Sequence, residues 1–99
     1  MQTLKLADDL FAGLRAGRKR CTIRAGHRAI GPGSLRFEGD REQAEVRVTR
    51  VVHKTAGELT DEEARAEGLT DAATLLAALR RFYPDLKAGD AVTVVHFVL

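Results

Sequence analysis

The segment Gly17-Arg18-Lys19-Arg20-Cys21-Thr22-Ile23-Arg24 gathers a nucleophile, a base candidate and several cations within eight residues. If Arg20 to Arg24 is extended, successive side chains point to opposite faces. Arg20, Thr22 and Arg24 then share one face, while Cys21 and Ile23 turn to the core. Lys19 stands just before the strand, and its flexible stem reaches towards Thr22. A threonine hydroxyl is a weak nucleophile and needs a neighbouring base. Lysine serves as that base when a low dielectric or nearby cations depress its pKa, and Arg18, Arg20 and Arg24 are such cations. The same residues also read as an anion-binding strand or a solvated basic face, and spacing alone does not choose.

Other reactive side chains are scattered. Glu67 is the carboxylate nearest the end of an acidic helical segment, one residue before Gly68. From position alone it reads as a solvated helix carboxylate. Tyr83 precedes Pro84, where an aromatic ring either meets a site or closes the core at a helix end. His27, His53 and His96 lack metal-ligand spacing, and a single cysteine forms no zinc pattern. No metal and no cofactor are expected. Gly31-Pro32-Gly33 lacks the strand, helix and lysine of a phosphate loop and reads as a turn.

Length and composition bound the rest. The 99 residues, 44% hydrophobic and 30% charged, suit one folded domain over 1–99 with one core and a shallow site. Cys21 cannot form an intrachain disulfide, which fits a reducing compartment. No apolar run approaches the roughly 20 residues that a membrane helix needs. Met1 to Leu6 carries no signal-peptide core. The expectation is a cytoplasmic protein with no membrane partner. Net charge is only +2, yet no acid lies between Asp9 and Glu38 while Arg15, Arg18, Lys19, Arg20, Arg24, Arg28 and Arg36 all do. Such a stretch suits an anionic partner, or equally a solvated face making weak surface pairs.

The elements that must hold these residues follow from periodicity. Strands are expected at residues 2–6, 20–24, 34–37, 43–54 and 91–98, with helices at 8–16, 61–67 and 71–82. Gly17 is the expected C-cap of the first helix. Thr60 with Glu63 forms a capping box, and Thr70 is the expected N-cap of the last helix, whose apolar face is Leu75, Leu76, Leu79 and Phe82. Val46, Val48 and Val52 share one phase of the long strand and Arg50 falls in the same phase. A bulge there spares the cost of burying an unpaired charge. Ala91 to Leu99 is apolar on both alternating faces and is expected to be buried on both sides. Too few helices separate the strands for a doubly wound sheet. The fold class is α+β, a small, mostly antiparallel barrel closed by helices.

Gly17-Arg18-Lys19-x-x-Thr22-Ile23-Arg24 resembles the G-x-K-x-x-T-I-R signature of the ASCH family, a PUA-like β-barrel fold. The agreement continues through Pro32-Gly33, Val48-Thr49-Arg50-Val51, Leu59-Thr60-Asp61-Glu62 leading to Glu67-Gly68, Leu79, Phe82-Tyr83-Pro84 and Val94-Val95-His96-Phe97. It spans essentially the whole chain, with Ser34 where the family turn carries Asp. The sequence is most similar to short members that hydrolyse N4-acetylcytidine to cytidine and acetate. That resemblance implies Lys19 as base, Thr22 as nucleophile and Glu67 in proton transfer or water activation. Arg24 would orient substrate or an oxyanion, with Arg20 and Tyr83 as further substrate-binding candidates. Two competing functions remain: an RNA-binding module without turnover, using the basic face and a stacking aromatic, or a metal-independent ribonuclease on single-stranded RNA. The implied partner is thus a modified nucleoside or RNA.

Overall fold

The computed structural model describes residues 1–99. Its organising strand is β5 (Ala91–Val98), numbered with the others in chain order: β1 (Gln2–Lys5), β2 (Cys21–Ala25), β3 (Gly33–Glu38) and β4 (Gln43–Thr55). Val92 and Val94 of β5 belong to one apolar core, and Val95 and Phe97 to another. The expected burial of both faces holds, because β5 lies inside the sheet order β1-β3-β4-β5-β2. On one side the curled sheet wraps Phe11, Leu14, Leu35, Phe37, Val46 and Val48 around Val95 and Phe97. On the other, Cys21, Ile23, Val92 and Val94 are covered by Leu59, Ala64, Leu75, Leu79 and Leu86.

Three strand pairings are antiparallel and the fourth, β1 with β3, is parallel. The α+β, mostly antiparallel architecture is therefore as expected, in the form of a curled half-barrel. Its two terminal strands, β1 and β2, form no ladder with each other. The register slips between Val48 and Arg50. This is the bulge that the sequence required: Val48 is buried and Arg50 is exposed.

The helices are shorter than their periodicity suggests. The first divides into a 3-10 turn, Asp8–Leu10, and α1 (Phe11–Arg15). Gly17 follows with φ +80°, the left-handed geometry of a helix C-terminus. A second 3-10 turn, Ala56–Glu58, leads to α2 (Asp61–Ala66). The capping box forms as expected: Glu63 N donates to Thr60 Oγ1 at 3.1 Å, and Thr60 N donates to Glu63 Oε1 at 2.9 Å.

α3 (Ala72–Leu79) departs from expectation at both ends. Its N-cap is Asp71, not Thr70: the Asp71 carboxylate accepts from Thr74 N at 2.8 Å. Aspartate is at least as good a cap as threonine, so the later residue takes the position. The helix stops at Leu79, not Phe82, because Pro84 disfavours a helical Tyr83 and the chain turns early. Phe82 consequently leaves the apolar face and is 47% exposed. No helix is long and apolar enough to cross a membrane.

Candidate active site

The open side of the half-barrel is where the reactive segment lies. α1 ends at Arg15, and after Gly17 the chain runs past Lys19 into β2. Two contacts dock the C-terminal end of α2 against this run. Arg20 N donates to Ala66 O at 2.6 Å, and Gly68, with φ +88°, packs where an added Cβ would sit 3.3 Å from Arg18 O. A side chain at Gly68 would push these segments apart. Their approach brings Glu67 onto Lys19, although 48 residues separate them.

Lys19 is 7% exposed, and its ammonium donates to Cys21 O at 3.1 Å and to Glu67 Oε1. The other Glu67 oxygen accepts from no protein group. Burial pushes the Glu67 carboxyl above its ordinary value, opposed by the positive charges of Lys19 and Arg24. This carboxylate is therefore weakly solvated and short of hydrogen-bond partners.

Thr22, only 3% exposed, stands on the inner face of β2, opposite Val95. Arg24 is on the same face and spans the gap between the unpaired strands. Its Nε donates to Thr22 Oγ1 at 3.1 Å, and its Nη1 donates to Lys5 O of β1 at 2.6 Å. Burial lowers the Arg24 pKa, against the opposing charges of Tyr83 and Glu67. Because Arg24 occupies an acceptor site on Thr22, the Thr22 proton is left to be given to another group.

Lys19, Thr22, Arg24, Glu67 and Tyr83 line a single cleft of about 680 Å³, a volume that suits a nucleoside-sized ligand. The convergence of Lys19, Thr22, Arg24 and Glu67 expected from sequence is found. One other expectation needs correction. Arg20 does not line the cleft: its side chain is exposed, and its backbone instead ties α2 to β5 through Ala66 O and Phe97 N. Lys19 and Thr22 line the same cleft as expected, with the Lys19 ammonium directed to Glu67, its strongest available acceptor, and to Cys21 O. Cys21 is excluded as nucleophile by burial first, then by the Glu67 charge, which together push its thiol up to about 12.

Sequence reasoning missed the opposite wall. Asp8 and Asp40 line it, with Lys5 and Leu6 of the first strand region. Gly39 fits between Asp8 and Phe11 so tightly that a Cβ would lie 2.1 Å from Asp8 Oδ1 and 2.9 Å from the Phe11 ring. Only the glycine hinted at this from sequence, since the contact joins the β3–β4 turn to a distant 3-10 turn. Arg81 and Phe82 form the remaining rim. Arg81 stacks on Phe82, 4.8 Å from its centroid, and bonds both Asp9 oxygens, at 3.1 and 3.3 Å.

No family model matches the chain, and no curated protein matches it in sequence. Its similarity is to solved folds. The protein EF3133 of Enterococcus faecalis V583, of the family DUF984, superposes with TM-score 0.82 at 15% identity, over 100% of this chain and 76% of that one. An ASCH domain from Lactobacillus crispatus JV V101 gives TM-score 0.77 at 15% identity, over 98% and 79% of the two chains. The hypothetical protein PH0355 gives TM-score 0.76 at 16% identity, over 98% and 96%. The chain has the fold of an ASCH domain, in agreement with its sequence signature.

Proposed function

We propose that this protein is an amidohydrolase that removes an acyl group from N4-acetylcytidine-type nucleosides. The observation that carries the reading is the buried Lys19–Glu67 pair beside Thr22 and Arg24 in one cleft. Buried ionisable groups that face a cleft concentrate at functional sites.

The chemistry runs as acyl transfer followed by hydrolysis. In the proposed first step a proton passes from Lys19 to Glu67 along their hydrogen bond and leaves a neutral amine. That amine takes the Thr22 hydroxyl proton as Oγ1 forms a bond to the acyl carbonyl carbon. Negative charge develops on the carbonyl oxygen, and the Arg24 guanidinium is the nearest cation to hold it, a type of contact worth about 3 kcal/mol. The C–N4 bond breaks as Lys19 returns the proton to N4, releasing cytidine. A water then attacks the Thr22 ester, losing its proton to the Lys19–Glu67 pair, and acetate departs as Thr22 regains its own.

Incubation with N4-acetylcytidine, followed by chromatography for cytidine and acetate, tests this. Turnover in the wild type and its loss in Lys19→Arg, with an unchanged circular-dichroism spectrum, is the expected result. A wild type without turnover would overturn it.

A second reading, RNA binding without turnover, draws on Arg18 and Arg20, which are exposed, outside any ion pair and adjacent in sequence to Lys19. It predicts a steep loss of affinity with salt, whereas hydrolysis of a neutral nucleoside is nearly insensitive to salt.

A further inference from the structure

Strand β2 pairs on one side only. Its ladder to β5 is identified by two bonds at its ends: Phe97 N donates to Arg20 O at 3.1 Å, and Gly26 N donates to Ala91 O at 2.8 Å. In an antiparallel pair every second residue turns both its N–H and its C=O to the neighbour, and the residues between turn theirs away. Arg20, Thr22, Arg24 and Gly26 are the residues that face β5. Cys21, Ile23 and Ala25 therefore direct their main-chain groups to the free edge. Two of these edge carbonyls are taken by side chains: Cys21 O by Lys19 Nζ at 3.1 Å, and Ala25 O by Arg28 Nε at 3.0 Å. Ile23 O receives no side-chain donor, and Ile23 N no side-chain acceptor.

The far bank of the gap obeys the same rule. Leu6 N donates to Glu38 O at 3.0 Å, so the even residues of β1 serve the parallel ladder. Lys5 faces the gap, and its carbonyl is the one Arg24 Nη1 reaches. Lys5 and Ile23 both line the cleft, between Thr22 and Arg24 on one bank and Asp8 on the other. Ile23 is only 3% exposed, and as an extended residue lining a cleft it offers a donor and an acceptor side by side and pointing the same way. Buried main-chain groups of this kind are almost always paired, so an unpaired set at a cleft calls for a ligand.

We infer that the main-chain N–H and C=O of Ile23, on the free edge of β2, read the base of the ligand by pairing with an adjacent acceptor and donor on its edge. On a cytosine ring these are N3, which accepts from Ile23 N–H, and the N4–H, which donates to Ile23 O. The pairing sets the exocyclic N4 substituent beside Thr22 and Arg24, the neighbours of Ile23 in the chain. The inference rests on the proposed nucleoside reading of this cleft, and adds what selects the base.

The test is amide hydrogen exchange by NMR on the whole protein, with cytidine and 3-deazacytidine as probes. The second probe lacks the N3 acceptor and keeps the N4–H. Saturating cytidine should shift the Ile23 amide and slow its exchange about tenfold, the worth of one net hydrogen bond. Thr22 and Arg24 amides, bonded into β5, should keep their rates. 3-Deazacytidine should bind about tenfold more weakly and leave Ile23 exchange unchanged. If cytidine perturbs Lys19, Glu67 and Tyr83 but not the Ile23 amide, the backbone assignment is overturned and the nucleoside site stands. If neither probe perturbs any cleft residue at millimolar concentration, both fall.

Discussion

Two lysine–glutamate pairs hang on the same short helix. Glu63, in the first turn of α2, holds Lys54, and Glu67, at its C-terminal end, holds Lys19. Both are largely buried, yet their bonding differs. Glu63 Oε1 accepts from Thr60 N, Thr60 Oγ1 and Lys54 Nζ, and its Oε2 lies 3.0 Å from the same ammonium. Each partner of Glu63 is local or structural, and the carboxylate does not line the cleft that holds Lys19 and Thr22. Glu67 has Lys19 alone, and lines the cleft of about 680 Å³ with Thr22 and Arg24. A buried charge that is fully hydrogen-bonded specifies structure, whereas one left short of partners is available for chemistry. Residue types do not separate the two pairs; the number of partners does.

The largest expected effect breaks the comparison on the functional side. Lys19→Arg and Lys19→Ala should each lower N4-acetylcytidine hydrolysis by roughly a hundred- to ten-thousandfold, the span of general-base contributions. Lys54→Arg should leave the rate within about twofold, since it lies outside the cleft. Arginine keeps the charge and cannot act as a base. A Lys19→Arg variant with full turnover would reduce Lys19 to a positioning charge.

Stability should reverse the ranking. Glu63→Ala removes a cap and strands the Lys54 ammonium, at a cost of about 3 kcal/mol by urea unfolding. Glu67→Gln keeps an acceptor for Lys19 and removes a poorly solvated charge, so its stability should change by no more than about 1 kcal/mol. Equal losses from the two variants would erase the distinction between the pairs.

The pH dependence sharpens it further. Burial raises the folded-state pKa of Glu67 above 4.5, its ordinary value. The folded protein then binds a proton more tightly than the unfolded chain does. The stabilising contribution is complete below the unfolded value and is lost as pH rises through the folded one. Wild type minus Glu67→Gln stability should therefore decline with rising pH across that window. Turnover should move oppositely, falling as pH drops through the raised value, because water activation needs the carboxylate. A flat difference curve would remove Glu67 from the set of perturbed groups.

A third carboxylate supplies the smallest effect. Asp71 is fully exposed and caps α3 through Thr74 N, which lowers its pKa. Asp71→Ala should lower Tm modestly and Thr70→Ala should hardly move it. The Asp71 contribution should fade as pH falls through its depressed folded value. The reverse order would return the cap to Thr70.

What the sequence determined by itself is the local grammar of the chain. The Thr60–Glu63 box, the Gly17 stop, the bulge that frees Arg50 and the double-faced β5 all follow from residues within a few positions of each other. Caps, turns and period-two burial are short-range physics. The same alternation placed Thr22 and Arg24 on one face, and the resemblance to a known signature added Lys19 and Glu67. The tertiary structure decided how these groups meet. It docked α2 on the chain beside Lys19 through Ala66 and Gly68, paired Lys19 with Glu67 rather than Thr22, and left Arg20 outside. It also set β1 parallel to β3, so that β1 and β2 became the banks of a gap bridged by Arg24. Those outcomes depend on the curl of a whole sheet around two cores, a sum over contacts between distant residues that no local window of sequence contains.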